Sequence, residues 1–245
     1  MKVDVFANDD ALTTAAADLV HLSITEFAGR ALGIATGATP LGLYAELGRR
    51  ASAGALDTAG LSLVALDEYL GLGPSDEASF AAYVHSQVAA PLAIASERVA
   101  VLDGMGDAQQ ECAAFERRIR AWGGVGVQIV GIGSNGHLAF NEPGTPFDSR
   151  THVVRLSEQT RLDNRSSFAS GAVPQFALTQ GIATIMEARR ILLLARGASK
   201  AEAIARALTG APDPSCPASV LQLHPDVVVL LDSAAAGALE LPISA

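Results

Sequence analysis

Short apolar, β-branched runs alternate along this chain with longer stretches rich in Ala, Leu and Arg, and no other feature limits its fold as strongly. The runs at 3–6, 31–34, 61–66, 127–130, 191–194 and 227–231 read as strands. They are almost wholly apolar, with only Asp4, Ser62 and Gln128 polar, and most do not alternate, which suits a parallel sheet covered on both faces. The segments between them are long enough for crossover helices. Helices are expected from a cap at Asp9 or Asp10 through Phe27, and over 79–88, 109–122 and 199–208. The pattern predicts an α/β fold: a doubly wound, mostly parallel sheet with helices on both faces, Rossmann-like, in a single domain over 1–245. Ligands of such sheets bind beyond the carboxyl ends of the strands, so the loops that directly follow strands carry the functional expectations.

One such loop, 131–144, reads GIGSNGHLAFNEPG and follows the run at 127–130. Its four glycines allow positive φ and a close approach of backbone to a ligand. His137 titrates near neutral pH, and Glu142 gives it an acidic partner. The first six residues satisfy G-x-G-x-x-G, but a dinucleotide turn needs a helix opening at the third glycine. Asn141, Pro143, Gly144 and Pro146 break any such helix. Ser134 is no nucleophile elbow, since Ile132 stands where glycine is required. The lysine of a phosphate-binding Walker loop is also missing nearby.

After the run at 31–34 comes Thr36-Gly37-Ala38-Thr39-Pro40, in which Thr39 can cap a helix and Pro40 take its first position. Free N–H groups and the helix dipole there favour a phosphate, with the hydroxyls of Thr36 and Thr39 beside it; a plain helix cap is the alternative. After 61–66 comes Asp67-Glu68-Tyr69, where either carboxylate could serve as a base or be solvated loop charge. The chain has 17 basic residues, of which only Lys2 and Lys200 are lysines. Lysine retained at the start of the helix near 199 fits a compact ammonium for a phosphate, or plain surface charge.

The net charge of -9 disfavours nucleic acid or an anionic membrane as partner. No apolar run approaches the roughly 18 residues of a membrane span, and the N-terminus lacks a signal-peptide core, so a cytoplasmic protein is expected. Cys112 and Cys216 lack metal-ligand spacing and read as buried, reduced thiols.

Six blocks in order, ATGATPLGLY (35–44), LDEYLGL (66–72), GIGSNGHLAFNEPGTPFDSRTH (131–152), ALTQGIATI (177–185), GASKAEAI (197–204) and SVLQLHPDV (219–227), resemble the glucosamine-6-phosphate deaminase (isomerase) family over nearly the whole chain. The 6-phosphogluconolactonases look like distant relatives, and the FNEPG continuation at 140–144 points to the deaminase branch. The resemblance implies conversion of glucosamine 6-phosphate and water to fructose 6-phosphate and ammonia, with no metal or organic cofactor. It implies Asp67 as carbon-acid base, His137 for ring opening with Glu142 tuning it, and Asn135 where many relatives carry aspartate. Substrate contacts carry over to Thr36, Gly37, Ala38, Thr39 and Lys200. Arg165 is a weaker candidate because the family arginine aligns with Ser166, and Arg161 is a structural charge. Basic effector positions of the allosteric members align with His152 and Val154, which implies a non-allosteric monomer or small homo-oligomer. A galactosamine 6-phosphate deaminase would use the same residues; a lactonase would need no base at Asp67, and a binding-only protein is favoured by Asn135 alone.

Overall fold

The computed structural model describes residues 1–169 and 171–239. Its strands are β1 Lys2–Phe6, β2 Ala31–Ile34, β3 Leu63–Ala65, β4 Asp67–Tyr69, β5 Val99–Ala100, β6 Val125–Val130, β7 His152–Arg155, β8 Phe176–Thr179, β9 Arg190–Ala195 and β10 Val227–Asp232. Seven of these form one sheet in the order β1-β10-β9-β6-β2-β3-β5. Every neighbouring pair in it is parallel. β6 is buried at each of its positions, which is why its sequence shows no polar alternation. The core is close-packed around these strands; Ile129, fully buried, is a side chain whose truncation to Ala costs about 2–5 kcal/mol.

The strand order fixes where a ligand can enter. From β2 the chain moves to β3 and β5 on one side, then returns to β6 and moves to β9 and β10 on the other. β2 and β6 are therefore neighbours whose following loops diverge, the switch point at which open α/β sheets form a crevice.

The helices are α1 Asp9–Glu26, α2 Leu41–Ser52, α3 Phe80–Tyr83, α4 Ala108–Ala121, α5 Glu158–Asp163, α6 Ile182–Met186 and α7 Ala201–Leu208. Two boundaries differ from expectation. α1 is capped by Asn8, whose side chain accepts the Ala11 N–H at 2.9 Å; Asp9 and Asp10 sit in the first turn, where they still favour the helix dipole. α2 starts at Leu41, with Pro40 in the cap position and no side-chain cap, so Thr39 does not cap it. Ser79 caps α3 as the 79–88 pattern requires, but the chain then widens into a π-helix, Val84–Ala89.

The second sheet, β4-β8-β7, is antiparallel and was not foreseen. The run at 61–66 ends in β3, and the chain passes through Leu66 into β4, which pairs Asp67 with Thr179 and Glu68 with Leu178. Asp and Glu are poor strand formers; pairing and burial override their preference here. Gln180 fastens the two sheets together, its backbone N–H donating to the Leu66 carbonyl and its Nε2 to the Ala65 carbonyl, both at 2.7 Å. Cys112 and Cys216 are buried and free. Among the described residues no helix is long and apolar enough to cross a membrane.

Candidate active site

A cavity of about 260 Å³ opens beyond the carboxyl ends of β2, β6 and β9. The turn after β2 supplies Thr36, Gly37, Ala38 and Thr39, β4 supplies Asp67, the loop after β6 supplies Gly133 and His137, and the segment after β9 supplies Arg196 and Lys200. Loops far apart in sequence thus meet at the switch point. Asn135 and Glu142 stand behind His137 instead of in the cavity wall. Arg165 does not line the cavity: it is exposed, and it borders a neighbouring depression with Arg161 and Gly171. The short helical turn Arg165–Ser167 presents Ser167 to the cavity and turns the arginine outward.

The loop after β6 takes its shape from two glycines used differently. Gly136 has φ +89°, and a Cβ on it would also lie 2.7 Å from Cys216 Sγ. Gly133 has no positive φ; a Cβ there would lie 2.3 Å from His137 Cε1, so its bare backbone is the bed for the imidazole. The end of the loop is pinned to β8. The Phe140 N–H donates to Thr179 Oγ1 at 3.1 Å, and Asn141 Nδ2 to the carbonyls of Leu138 and Gln180, each at 2.8 Å. Between them Ala139 is held at φ +52°, a left-handed conformation that costs a non-glycine residue about 1–2 kcal/mol.

Glu142 does not touch the His137 ring. Its Oε2 accepts from Asn135 Nδ2 at 2.9 Å and its Oε1 from the Ser157 N–H at 2.9 Å, while Asn135 Oδ1 accepts the His137 backbone N–H at 3.0 Å. The ring itself contacts Thr160 of α5, whose Oγ1 lies 3.3 Å from Nδ1. Burial lowers the His137 pKa below its ordinary value; Lys200 acts in the same direction, against the charges of Glu142 and Asp163.

Asp67 is 6 % exposed and its carboxylate has no hydrogen-bond partner among the described residues. Burial, and then the charge of Glu68, push its pKa well above the carboxylate range. The next side chain is satisfied as fully as a carboxylate can be. Glu68 accepts the N–H groups of Tyr69, Phe80 and Ala81 and the Ser79 hydroxyl. It thereby clamps α3, with the cavity-lining Phe80, onto β4. Burial nevertheless leaves its pKa raised. Neither carboxylate is the solvated loop charge that the sequence allowed.

The same cavity carries groups that suit an anion. The N–H groups of Gly37, Ala38 and Thr39 donate to no protein acceptor among the described residues, and the N-terminus of α2 lies just beyond them. Lys200 lines the same cavity, its pKa lowered by burial although Asp163 opposes the shift. Arg196, ion-paired with Asp9, adds a second cation. Sequence reasoning missed Arg196, although it directly follows β9 and the strand-end rule points to it. It also missed Thr160, whose only local signal is Ser157 three residues earlier. Among the described residues no group of three or more His, Cys, Asp or Glu is arranged to hold a metal ion.

Residues 7–229 match the family described as glucosamine-6-phosphate isomerases/6-phosphogluconolactonase. A glucosamine-6-phosphate deaminase of Cutibacterium acnes is 44 % identical over 98 % of this chain and 92 % of its own. One of Bacillus velezensis is 42 % identical over 97 % and 99 %. The solved structure of a monomeric glucosamine-6-phosphate deaminase superposes with a TM-score of 0.94 at 41 % identity, covering 98 % of this chain and all of that one (100 %). A 6-phosphogluconolactonase from Trypanosoma brucei shares the fold, with a TM-score of 0.80 at 20 % identity over 97 % of this chain and 98 % of its own.

Proposed function

Because the chain belongs to the family of glucosamine-6-phosphate isomerases and 6-phosphogluconolactonases, we infer that it is a glucosamine-6-phosphate deaminase, converting glucosamine 6-phosphate and water to fructose 6-phosphate and ammonia. The observation that carries the assignment of roles within the site is Asp67: a buried carboxyl lining the cavity without a hydrogen-bond partner among the described residues. Carbon-acid chemistry needs such a group and lactone hydrolysis does not.

The reaction divides among the residues in three steps. His137 serves ring opening: one proton leaves the anomeric hydroxyl as the aldehyde forms, and one reaches the ring oxygen as its bond to the anomeric carbon breaks. Asp67 then takes the proton from the carbon bearing nitrogen, which gives an enolamine. It returns that proton to the neighbouring carbon, leaving an imine that water hydrolyses to the ketone and ammonia. A carboxylate of ordinary pKa is a weak base for this work, and the raised pKa of Asp67 brings it closer to the carbon acid. Asn135 and Glu142 hold the His137 backbone and loop. The turn at 36–39, Lys200 and Arg196 bind the phosphate.

The chain acts as a monomer or small homo-oligomer without an effector site. Supporting this, His152 and Val154 stand on β7 where allosteric members carry basic residues. The assignment is tested by offering the purified protein glucosamine 6-phosphate, galactosamine 6-phosphate and 6-phosphogluconolactone in separate assays. The expected result is ammonia from the glucosamine compound in preference to its epimer, and no lactone hydrolysis above background. Preference for the epimer, or lactone hydrolysis without ammonia, overturns it.

A further inference from the structure

Two hydroxyls of the α5 segment lie behind His137, and the steps above leave both unused. Ser157 caps α5, its Oγ accepting the Thr160 backbone N–H at 3.1 Å. The same Oγ lies 3.0 Å from Thr160 Oγ1, which in turn lies 3.3 Å from His137 Nδ1. Thr160 is 1 % exposed. The last link is long, as contacts around such groups are before substrate tightens the site.

Each hydroxyl has one proton to give. With Ser157 Oγ already accepting a backbone N–H, its own proton goes to Thr160 Oγ1, and the Thr160 proton goes to Nδ1. Run in the other direction, the chain leaves the Ser157 proton with no protein acceptor among the described residues. We propose that Thr160 is a positioning residue which, by donating to Nδ1, holds the neutral His137 imidazole in the tautomer with its proton on Nε2, the nitrogen left free for substrate. Nε2 has no hydrogen-bond partner among the described residues, and the ring lines the cavity. Burial favours the neutral imidazole, the form in which the choice of tautomer matters, and Lys200 acts in the same direction against Glu142 and Asp163.

The consequence for catalysis rests on the reading of His137 as the ring-opening group. The Nε2 proton passes to the ring oxygen as the electron pair of its bond to the anomeric carbon moves onto that oxygen. The anomeric hydroxyl proton replaces it on Nε2 as the aldehyde forms. The net change is one proton carried from hydroxyl to ring oxygen, with the imidazole as it began. The opposite tautomer would present a bare nitrogen to the ring oxygen and could not start the step.

The test is 15N NMR of the full chain labelled at histidine nitrogens, at a pH where His137 is neutral, with the His137→Gln protein identifying its signals. The wild type should show a protonated Nε2 and a bare Nδ1. Thr160→Val, which keeps the shape, should lose that preference and lower kcat by at least about tenfold with KM within about twofold. Thr160→Ser should restore both. A proton on Nδ1 in the wild type, or unchanged shifts and kcat in Thr160→Val, overturns the proposal. Because the tautomer is read without turnover, failure of the deaminase assignment shows itself separately, as absence of ammonia from the wild type.

Discussion

Asn135 Nδ2 donates to Glu142 Oε2 across 2.9 Å, so the amide separates the acidic residue of the loop from the histidine it was expected to touch. An aspartate at 135 would still accept the His137 N–H but could not donate to Glu142. Two carboxylates would face each other, and one proton would have to be shared or the pair would repel. Added negative charge beside His137 favours the imidazolium. Asn135→Asp should therefore move the kcat/KM limb that belongs to His137 to higher pH, and a limb that stays in place would show that position 135 does not act on the imidazole.

Asp67 should cost the fold stability while serving the reaction. Folding raises its pKa, so the folded state binds that proton more tightly than the unfolded chain does. The contribution is fully present below the ordinary carboxylate pKa and is lost as pH rises through the raised one. Removing the charge in Asp67→Asn should raise the melting temperature at neutral pH by at least about 2 °C, and the gain should vanish in acid. Calorimetry at two pH values decides; a lower melting temperature at neutral pH would contradict the burial argument.

Gly133 and Gly131 are both in the loop after β6, yet only one is crowded. A Cβ on Gly133 would lie 2.3 Å from His137, whereas nothing lies within 4 Å of one on Gly131. Gly133→Ala should reduce kcat by at least about a hundredfold by displacing the imidazole, and Gly131→Ala should be far milder. Equal effects in steady-state assays would mean that the ring is not seated on Gly133.

Phosphate contacts made equally in ground and transition states change KM more than kcat. Lys200→Ala and Arg196→Ala should each raise KM by about tenfold or more with modest loss of kcat, whereas Arg165→Ala, facing away from the cavity, should leave both near wild type. A larger KM effect at Arg165 than at Arg196 would reverse the assignment.

The sequence pattern made the parallel sheet legible because strands buried on both faces are dominated by apolar residues, with Gln128 the one polar side chain in β6 and Arg190 the one in β9. It hid β4, since Asp67 and Glu68 are poor strand formers and only pairing with β8 and the donors around Glu68 make them one. The candidate site was legible where a motif comes soon after a strand: Thr36, Asp67, His137 and Lys200 all line one cavity. Thr160 was not, because the His137–Thr160 contact joins residues separated by 23 positions through the docking of α5. Arg165 stays outside that cavity for a local reason, the direction of one side chain in a single helical turn.

The most direct test of the central claim is to incubate the protein and its Asp67→Asn variant with glucosamine 6-phosphate and measure ammonia and fructose 6-phosphate together. The predicted result is equal amounts of both from the wild type and at least about a hundredfold less from the variant. No ammonia from the wild type, or wild-type turnover in the variant, would contradict it.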